Sequence, residues 1–317
     1  MITMTGLTKR YGDRLAVDDL SVTIRPGVVT GFLGPNGAGK STTMRMIVGL
    51  DRPTAGRVLI DGRPYAALHR PLRQVGALLD SATAHPARRA KDHLKMVAAS
   101  NDIEQRRVDI VLDQVGLSEV ANRRVGGFSL GMAQRLGIAT ALLGDPPILL
   151  FDEPVNGLDP DGVRWIRDLM RSLAADGRTV LVSSHLMSEM QHTADHLIVV
   201  GRGRLIADAP LQEVLDSASL NVVRARTPQT GAFTSALQSA GCEVQQSTGD
   251  ELLITGAPLS AIGDLAHRRQ IPLHELTMQA ATLEEAYLRL TGAAVEYGVD
   301  QAERSQSTVT AGRAAKK

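Results

Sequence analysis

Residues Gly34-Pro35-Asn36-Gly37-Ala38-Gly39-Lys40-Ser41 follow the spacing G-x-x-x-x-G-K-[ST], a pattern whose chemistry is the cradling of phosphates. Glycines let successive main-chain N–H groups turn inward around phosphate oxygens, and a helix opening at Lys40, with Ser41 and Thr42 in its first turn, adds partial positive charge. Lys40 is placed to reach β- and γ-phosphates, and the Ser41 hydroxyl to complete a Mg2+ shell. Lysine is scarce: of 35 basic residues only Lys9, Lys40, Lys91, Lys95, Lys316 and Lys317 are lysines. A second chemical cluster stands at Asp152-Glu153, delivered by the apolar run Ile148-Leu149-Leu150-Phe151. Ligands gather at the C-terminal ends of strands in open α/β sheets. Neighbouring side chains on a strand point to opposite faces, so the two acids take different roles. Asp152 suits Mg2+, directly or through water, and Glu153 suits polarising the water that attacks a γ-phosphate.

The surrounding pattern predicts elements that hold these groups. Strands are expected over Ile2–Thr8, Leu20–Ile24 and Val28–Leu33, the last running into the glycine loop. Helical spacing starts at Lys40 and stops at Gly49, and Arg57–Ile60 reads as a short strand. A mostly helical stretch covers about 88–145. Strands at Ile148–Asp152, Thr179–Ser184 and His196–Val200 then alternate with helices near 160–175 and 186–193, the order of an α/β domain with a mainly parallel sheet. Near Asp216–Ser219 the character shifts. Residues 220–292 read as strand, helix, strand, strand, helix, strand, closed by a helix that Thr282-Leu283-Glu284-Glu285 opens as a capping box. That is a small α+β unit of split βαβ type. The expected organisation is therefore an α/β domain at 1–215 with a helical subdomain at about 88–145, an accessory domain at 220–292, and a disordered tail at 296–317 with few apolar anchors.

Composition narrows the function classes. A length of 317 residues fits two domains. The 35 Lys+Arg nearly balance the 34 Asp+Glu, which disfavours a protein that tracks nucleic-acid phosphates. Four Phe, four Tyr and one Trp leave little for base-stacking platforms. Cys242 is the single cysteine, which excludes an intrachain disulfide framework and fits a reducing compartment. No run approaches the roughly 18 apolar residues of a membrane span. The first residues enter an alternating pattern without a signal peptide's regions, giving the expectation of a cytoplasmic chain.

Together with further motifs that occur in the right order along the chain, these residues carry a resemblance: residues 1–215 resemble the ATP-binding subunit of an ABC transporter, a P-loop NTPase fold with an antiparallel β subdomain and a helical subdomain. Phe128-Ser129-Leu130-Gly131-Met132-Ala133-Gln134-Arg135 resembles the family signature, commonly LSGGQ-x-QR. Gly34–Ser41 is then the Walker A loop, and Ile148–Glu153 the Walker B strand with its catalytic glutamate. Tyr11 resembles the A-loop aromatic that stacks on adenine, Asn156-Gly157-Leu158-Asp159 the D-loop, and His185 the switch histidine that contacts the γ-phosphate. The resemblance implies ATP and Mg2+ as ligands. It also implies that Ser129, Leu130, Gly131 and Met132 grip the ATP of an opposite protomer at a helix N-terminus, so that two copies form a head-to-tail homodimer on the cytoplasmic face of the cell membrane. Partnered with a separate integral membrane permease subunit, and not with nucleic acid, such a dimer powers transport. The signature and the accessory domain resemble the daunorubicin- and bacitracin-resistance exporters, implying a drug, lipid or peptide as cargo. The alternative is a soluble ABC-type ATPase acting on ribosomes or DNA; such proteins usually carry two cassettes or long coiled-coil insertions, and this chain has neither.

Two positions depart from the family pattern. Leu130 and Met132 replace the usual Gly and Gln, while Ser129 and Gly131 are kept. At the end of Val75-Gly76-Ala77-Leu78-Leu79, where the family delivers a glutamine, stands Asp80. An aspartate keeps an oxygen for the metal or the attacking water, but it is shorter, lacks the N–H2 donor and adds charge. Asp80 is therefore expected to touch Mg2+ and to couple the site less tightly to the membrane partner. Asp80→Gln should alter the ATPase rate or its stimulation by that partner; no change in either removes the role.

Overall fold

In the computed structural model the described residues are 1–79, 84–218, 222–246, 249–278 and 282–291. Asp80 and the tail at 296–317 lie outside them. The chain begins with a long antiparallel pair, β1 (Ile2–Tyr11) and β2 (Arg14–Ile24), followed by β3 (Val29–Leu33), α1 (Lys40–Ile47), β4 (Ala55–Ile60) and β5 (Val75–Leu78). Helices α2 (Ala90–Ser100), α3 (Arg106–Gln114) and α4 (Leu130–Leu142) come next. Then β6 (Ile148–Asp152), α5 (Pro160–Ala175), β7 (Thr179–Ser184), α6 (Met187–Thr193), β8 (His196–Gly201) and β9 (Arg204–Pro210) alternate.

These strands make two sheets, β2-β1-β4 and β5-β6-β7-β3-β8-β9. In the larger one β5, β6, β7, β3 and β8 are mutually parallel and β9 closes the edge antiparallel. Its central strands are covered on both faces, which explains why Val29–Leu33 and Thr179–Ser184 are buried throughout rather than alternating. Ile2, Leu7, Leu20, Phe32, Met44, Ile47, Leu150, Leu181 and Ile198 form one apolar core joining both sheets to α1. Register does the functional positioning. Leu33 pairs with Ser184 and Asp152 with Ser183, so the chain leaves β3, β6 and β7 along one edge, at Gly34, Glu153 and His185.

The described residues divide into two compact units between Leu211 and Gln212. In the second, α7 (Leu211–Ala218) leads to β10 (Val223–Arg226), α8 (Thr230–Ser239), β11 (Glu243–Gln246), β12 (Glu251–Thr255), α9 (Leu259–Arg268) and β13 (Glu275–Met278). Its sheet order is β11-β12-β10-β13, all antiparallel, a split βαβ arrangement. Val223, Ala225, Leu252 and Ile254 pack with Phe233, Leu237 and Ile262 of the helices. A last helix at 283–291 opens on a reciprocal cap: the Glu285 N–H donates to Thr282 Oγ1 at 3.2 Å, and the Thr282 N–H donates to Glu285 Oε2 at 2.9 Å.

Several strands run beyond the sequence expectation: β1 continues to Tyr11 and β4 begins at Ala55. β2 begins at Arg14 rather than Leu20, because Asp18-Asp19 masks its alternation; Asp19 sits at φ 52°, where the pairing with β1 shifts register. β9 is an exposed edge strand with Arg204, Asp208 and Pro210 in it, a composition that blunts an edge and hides the strand signal.

The end of α4 packs so closely on β5 that a Cβ at Gly76 would overlap the Ala141 carbonyl. Gly76→Ala should destabilise the first unit by about 1–3 kcal/mol, the usual cost of overpacking, whereas Gly127→Ala, which meets only Arg123 Nη2 at 4.0 Å, should leave the melting temperature within error. Equal melting temperatures for the two variants would contradict this packing.

Candidate nucleotide site

The loop between β3 and α1 folds around its own lysine. Lys40 is 6% exposed, and its Nζ donates to the carbonyls of Gly34 at 2.6 Å and Pro35 at 3.3 Å. Burial pulls the ammonium pKa below its ordinary value, and the Glu153 and Asp152 carboxylates oppose that pull. The lysine and both acids therefore share one electrostatic field. Gly39 stands at φ 101°, with space for a Cβ closed 2.5 Å away by the Ala16 carbonyl. Only glycine combines that dihedral with that approach. The left-handed turn starts α1 at Lys40, so the first free N–H groups of the helix open where the loop curls, a ready anion site.

Asp152 and Glu153 leave β6 with different surroundings, as the strand alternation requires. Ser183 Oγ of β7 donates a short hydrogen bond to Asp152 Oδ1. The Glu153 N–H donates to the Ser183 carbonyl at 3.2 Å and to Ser183 Oγ at 3.1 Å. Glu153 adopts φ 50°, a left-handed conformation that costs a residue with a Cβ about 1–3 kcal/mol and persists only where neighbours impose it. His185 Nδ1 lies 2.8 Å from Glu153 Oε2. The carboxylate is thus held by the residue that follows β7.

A cleft of about 440 Å3 is lined by Tyr11, Arg14, Ala16, Asn36, Gly37, Gly39, Lys40, Ser41, Thr42 and Glu153. It brings the aromatic residue, the phosphate loop and one carboxylate of the sequence analysis into a single space. Tyr11 is held at its rim: its hydroxyl donates to Asp51 Oδ2 at 2.9 Å, and Arg45 Nε donates to the same oxygen at 2.8 Å. Lys9 Nζ sits 4.8 Å from the ring centroid, a cation–π contact. Partial burial, then the Asp51 contact, push the phenol pKa up.

Ser129, Leu130, Gly131 and Met132 do not line this cleft. Ser129 caps α4, its Oγ accepting from the Met132 N–H at 3.2 Å, and Leu130 is 59% exposed. Asp159 caps α5 in the same way, accepting from the Gly162 N–H at 2.8 Å. Arg14, Asp51 and Ser183 were not singled out by sequence, and Gln134 stood there only as part of the signature motif, without a role of its own. Arg14 faces Tyr11 across the β1–β2 hairpin and comes close to Gly37; reading Tyr11-Gly12-Asp13 as a hairpin with an early β2 would have found it. The other three act through contacts 19 or more residues away in sequence, for which spacing carries no signal.

A family model described as ABC transporter matches residues 17–156, and one described as a domain of unknown function matches residues 221–284. The bacitracin transport ATP-binding protein BcrA of Bacillus licheniformis is 40% identical over 68% of this chain and 71% of its own. The daunorubicin resistance ATP-binding protein DrrA3 of Streptomyces coeruleorubidus is 32% identical over 92% of this chain and 96% of its own. This chain belongs to the ABC transporter ATP-binding proteins. It is an ATPase subunit, and a soluble role on ribosomes or DNA is not favoured. Among solved structures, the ABC cassette MJ0796, a dimer in a post-hydrolysis state with ADP and Pi, superposes with a TM-score of 0.61 at 26% identity, over 67% of this chain and 99% of that one.

In this ATPase Lys40 is the buried cation of the cleft. Lys40→Ala should abolish ATP hydrolysis, read as released phosphate, while the melting temperature stays near that of the unmodified chain; retention of most of the activity would contradict the phosphate-loop assignment.

Proposed function

We propose that two copies of this chain close head to tail on ATP and drive a separate integral membrane permease subunit, exporting a drug, lipid or peptide from a peripheral position on the cytoplasmic face of the membrane. The observation that carries this reading is the separation of two anion-gripping devices within one chain. The phosphate loop lines the cleft, whereas the Ser129-capped N-terminus of α4 lies off it. A second copy would supply the missing half of each site, as in a symmetric dimer. The named activities of BcrA and DrrA3 support export as the direction.

Each residue then has a task. Tyr11 stacks on adenine, its ring fixed by Asp51. Main-chain N–H groups of Gly34–Gly39, Pro35 excepted, with the first turn of α1 at Lys40, Ser41 and Thr42, bind the phosphates, and Lys40 Nζ exchanges its loop carbonyls for β- and γ-oxygens. The donor set suits Mg2+: Ser41 offers a hydroxyl and Asp152 a carboxylate, hard oxygens of the kind this ion takes alongside phosphates. Among the described residues, Ser41 and Asp152 would be the protein's share. When bound, the ion neutralises charge on the β- and γ-oxygens.

Glu153 orients the attacking water and draws off its proton. With His185 Nδ1–H donating to the Glu153 carboxylate, Nε2 is the ring atom that faces the γ-phosphate. Ser129, Leu130, Gly131 and Met132 of one copy close on the γ-phosphate held by the other, and Asp159 sets the adjoining D-loop. Asp80 is assigned a contact to the metal or water. Cleavage of the β–γ bridge to ADP and phosphate then removes the ligand that bridges the copies.

Glu153→Gln should bind ATP, hydrolyse it slowly and accumulate as a dimer in size-exclusion chromatography with ATP; a variant that stays monomeric contradicts the closure. Purification of this dimer from membranes should bring down an integral membrane protein that stimulates the wild-type ATPase, and a soluble preparation without such a protein would contradict the permease partner.

A further inference from the structure

Gln134 is 3% exposed, an unusual depth for a side chain with four hydrogen-bonding positions. Its Nε2 donates to the Glu153 carbonyl at 3.2 Å. That carbonyl also accepts from the Asn156 N–H at 3.2 Å, while the Glu153 N–H is held by Ser183. The left-handed Glu153 peptide is therefore clamped from both sides, on one side by β7 and on the other by α4. The clamp is part of a longer contact. Leu130 fills the space that a Cβ at Gly157 would take, and Gly131 faces the Gly157 carbonyl. Positions 130, 131 and 134 share one face of α4 by the i, i+3, i+4 rule, and all three meet the segment from Glu153 to Gly157.

We propose that Gln134 is a positioning residue for hydrolysis: its buried amide fixes the Glu153 main chain and so ties the orientation of the carboxylate to the seat of α4, the helix whose N-terminus carries the signature. This rests on the reading of Glu153 as the group that orients the attacking water. Removing the donor leaves the strained backbone to Ser183 and Asn156 alone, and the carboxylate leaves its attack geometry while the phosphate loop keeps its grip on nucleotide. A displacement of about 1 Å at such a group costs up to about a hundredfold in rate. The signature of an α4 that shifts is thus a loss in kcat with KM preserved.

The test compares Gln134→Met, which keeps length and volume without a donor, with Gln134→Glu, which keeps the shape and replaces the donor by an acceptor. Phosphate release is followed as a function of ATP concentration in the full chain, with ADP affinity from calorimetry. Both variants should lose about tenfold or more in kcat at about pH 8, with KM for ATP and ADP affinity within about twofold of wild type. Gln134→Glu should recover toward wild type as the pH falls to about 6, because a buried carboxyl takes up a proton there and regains an O–H donor, while Gln134→Met should not recover. A kcat within twofold of wild type for both variants overturns the proposal, as does a loss confined to KM. Equal losses in both at every pH, or failure of both to fold, would make Gln134 a packing residue and also overturn it. Glu153→Gln, run alongside, separates the two claims: wild-type turnover in that variant removes the reading of Glu153 itself, whereas an inactive Glu153→Gln beside active Gln134 variants removes only the positioning role.

Discussion

The parallel register of β3, β7 and β6 is the constraint on which the site depends. Because Leu33 lies opposite Ser184 and Asp152 opposite Ser183, three chain segments with different chemistry leave the sheet at one level: the phosphate loop, the acidic pair and His185. A slip of one residue in β6 or β7 would turn its side chains to the other face, separating Ser183 from Asp152 and the Glu153 backbone. The register is protected by burial. Leu149, Leu150 and Phe151 of β6 and Val180, Leu181 and Val182 of β7 are buried almost completely, so a slip would cost the full burial of several large side chains at about 25 cal/mol per Å2 of apolar surface.

On that rigid edge the chain keeps several groups in conformations they would not choose alone. Glu153 is left-handed, Lys40 is buried, and Gly39 takes a dihedral closed to other residues. Two of them are held by hydrogen bonds: to Ser183 and from Gln134 for Glu153, and to the Gly34 and Pro35 carbonyls for Lys40. Such preorganisation is what electrostatic catalysis requires, since groups already in place need no rearrangement as charge develops. The α4 N-terminus does not line the cleft, and its exposed Leu130 stands in a position where the family commonly carries glycine. On the proposed reading, nucleotide joins these two regions through a second copy, so that its binding energy does mechanical work between subunits.

Legibility in the sequence followed the range of the interactions. The phosphate loop was readable because its glycines and Lys40 act within eight consecutive residues, and the acidic pair because Ile148–Phe151 announces a buried strand immediately before it. The capping box at Thr282 and Glu285 was readable for the same local reason. What spacing could not reveal were partners set by the tertiary fold: Asp51 beneath Tyr11, Ser183 across from Asp152, Gln134 under Glu153, and Arg14, brought to the cleft by a hairpin whose second strand was hidden by Asp18-Asp19. The accessory unit shows the same division. Its split βαβ order followed from alternating patterns, while β9, just before it, lacked a clear period.

The claim that the ATP site is shared between two copies is tested most directly by mixing two inactive variants. Lys40→Ala lacks the cation of the phosphate loop and Ser129→Arg blocks the signature, so each homodimer has two broken sites. A heterodimer of the two carries one intact site, and random pairing in a two-fold dimer should restore about a quarter of wild-type ATPase activity. No activity in the mixture above that of the separate variants would contradict a composite site.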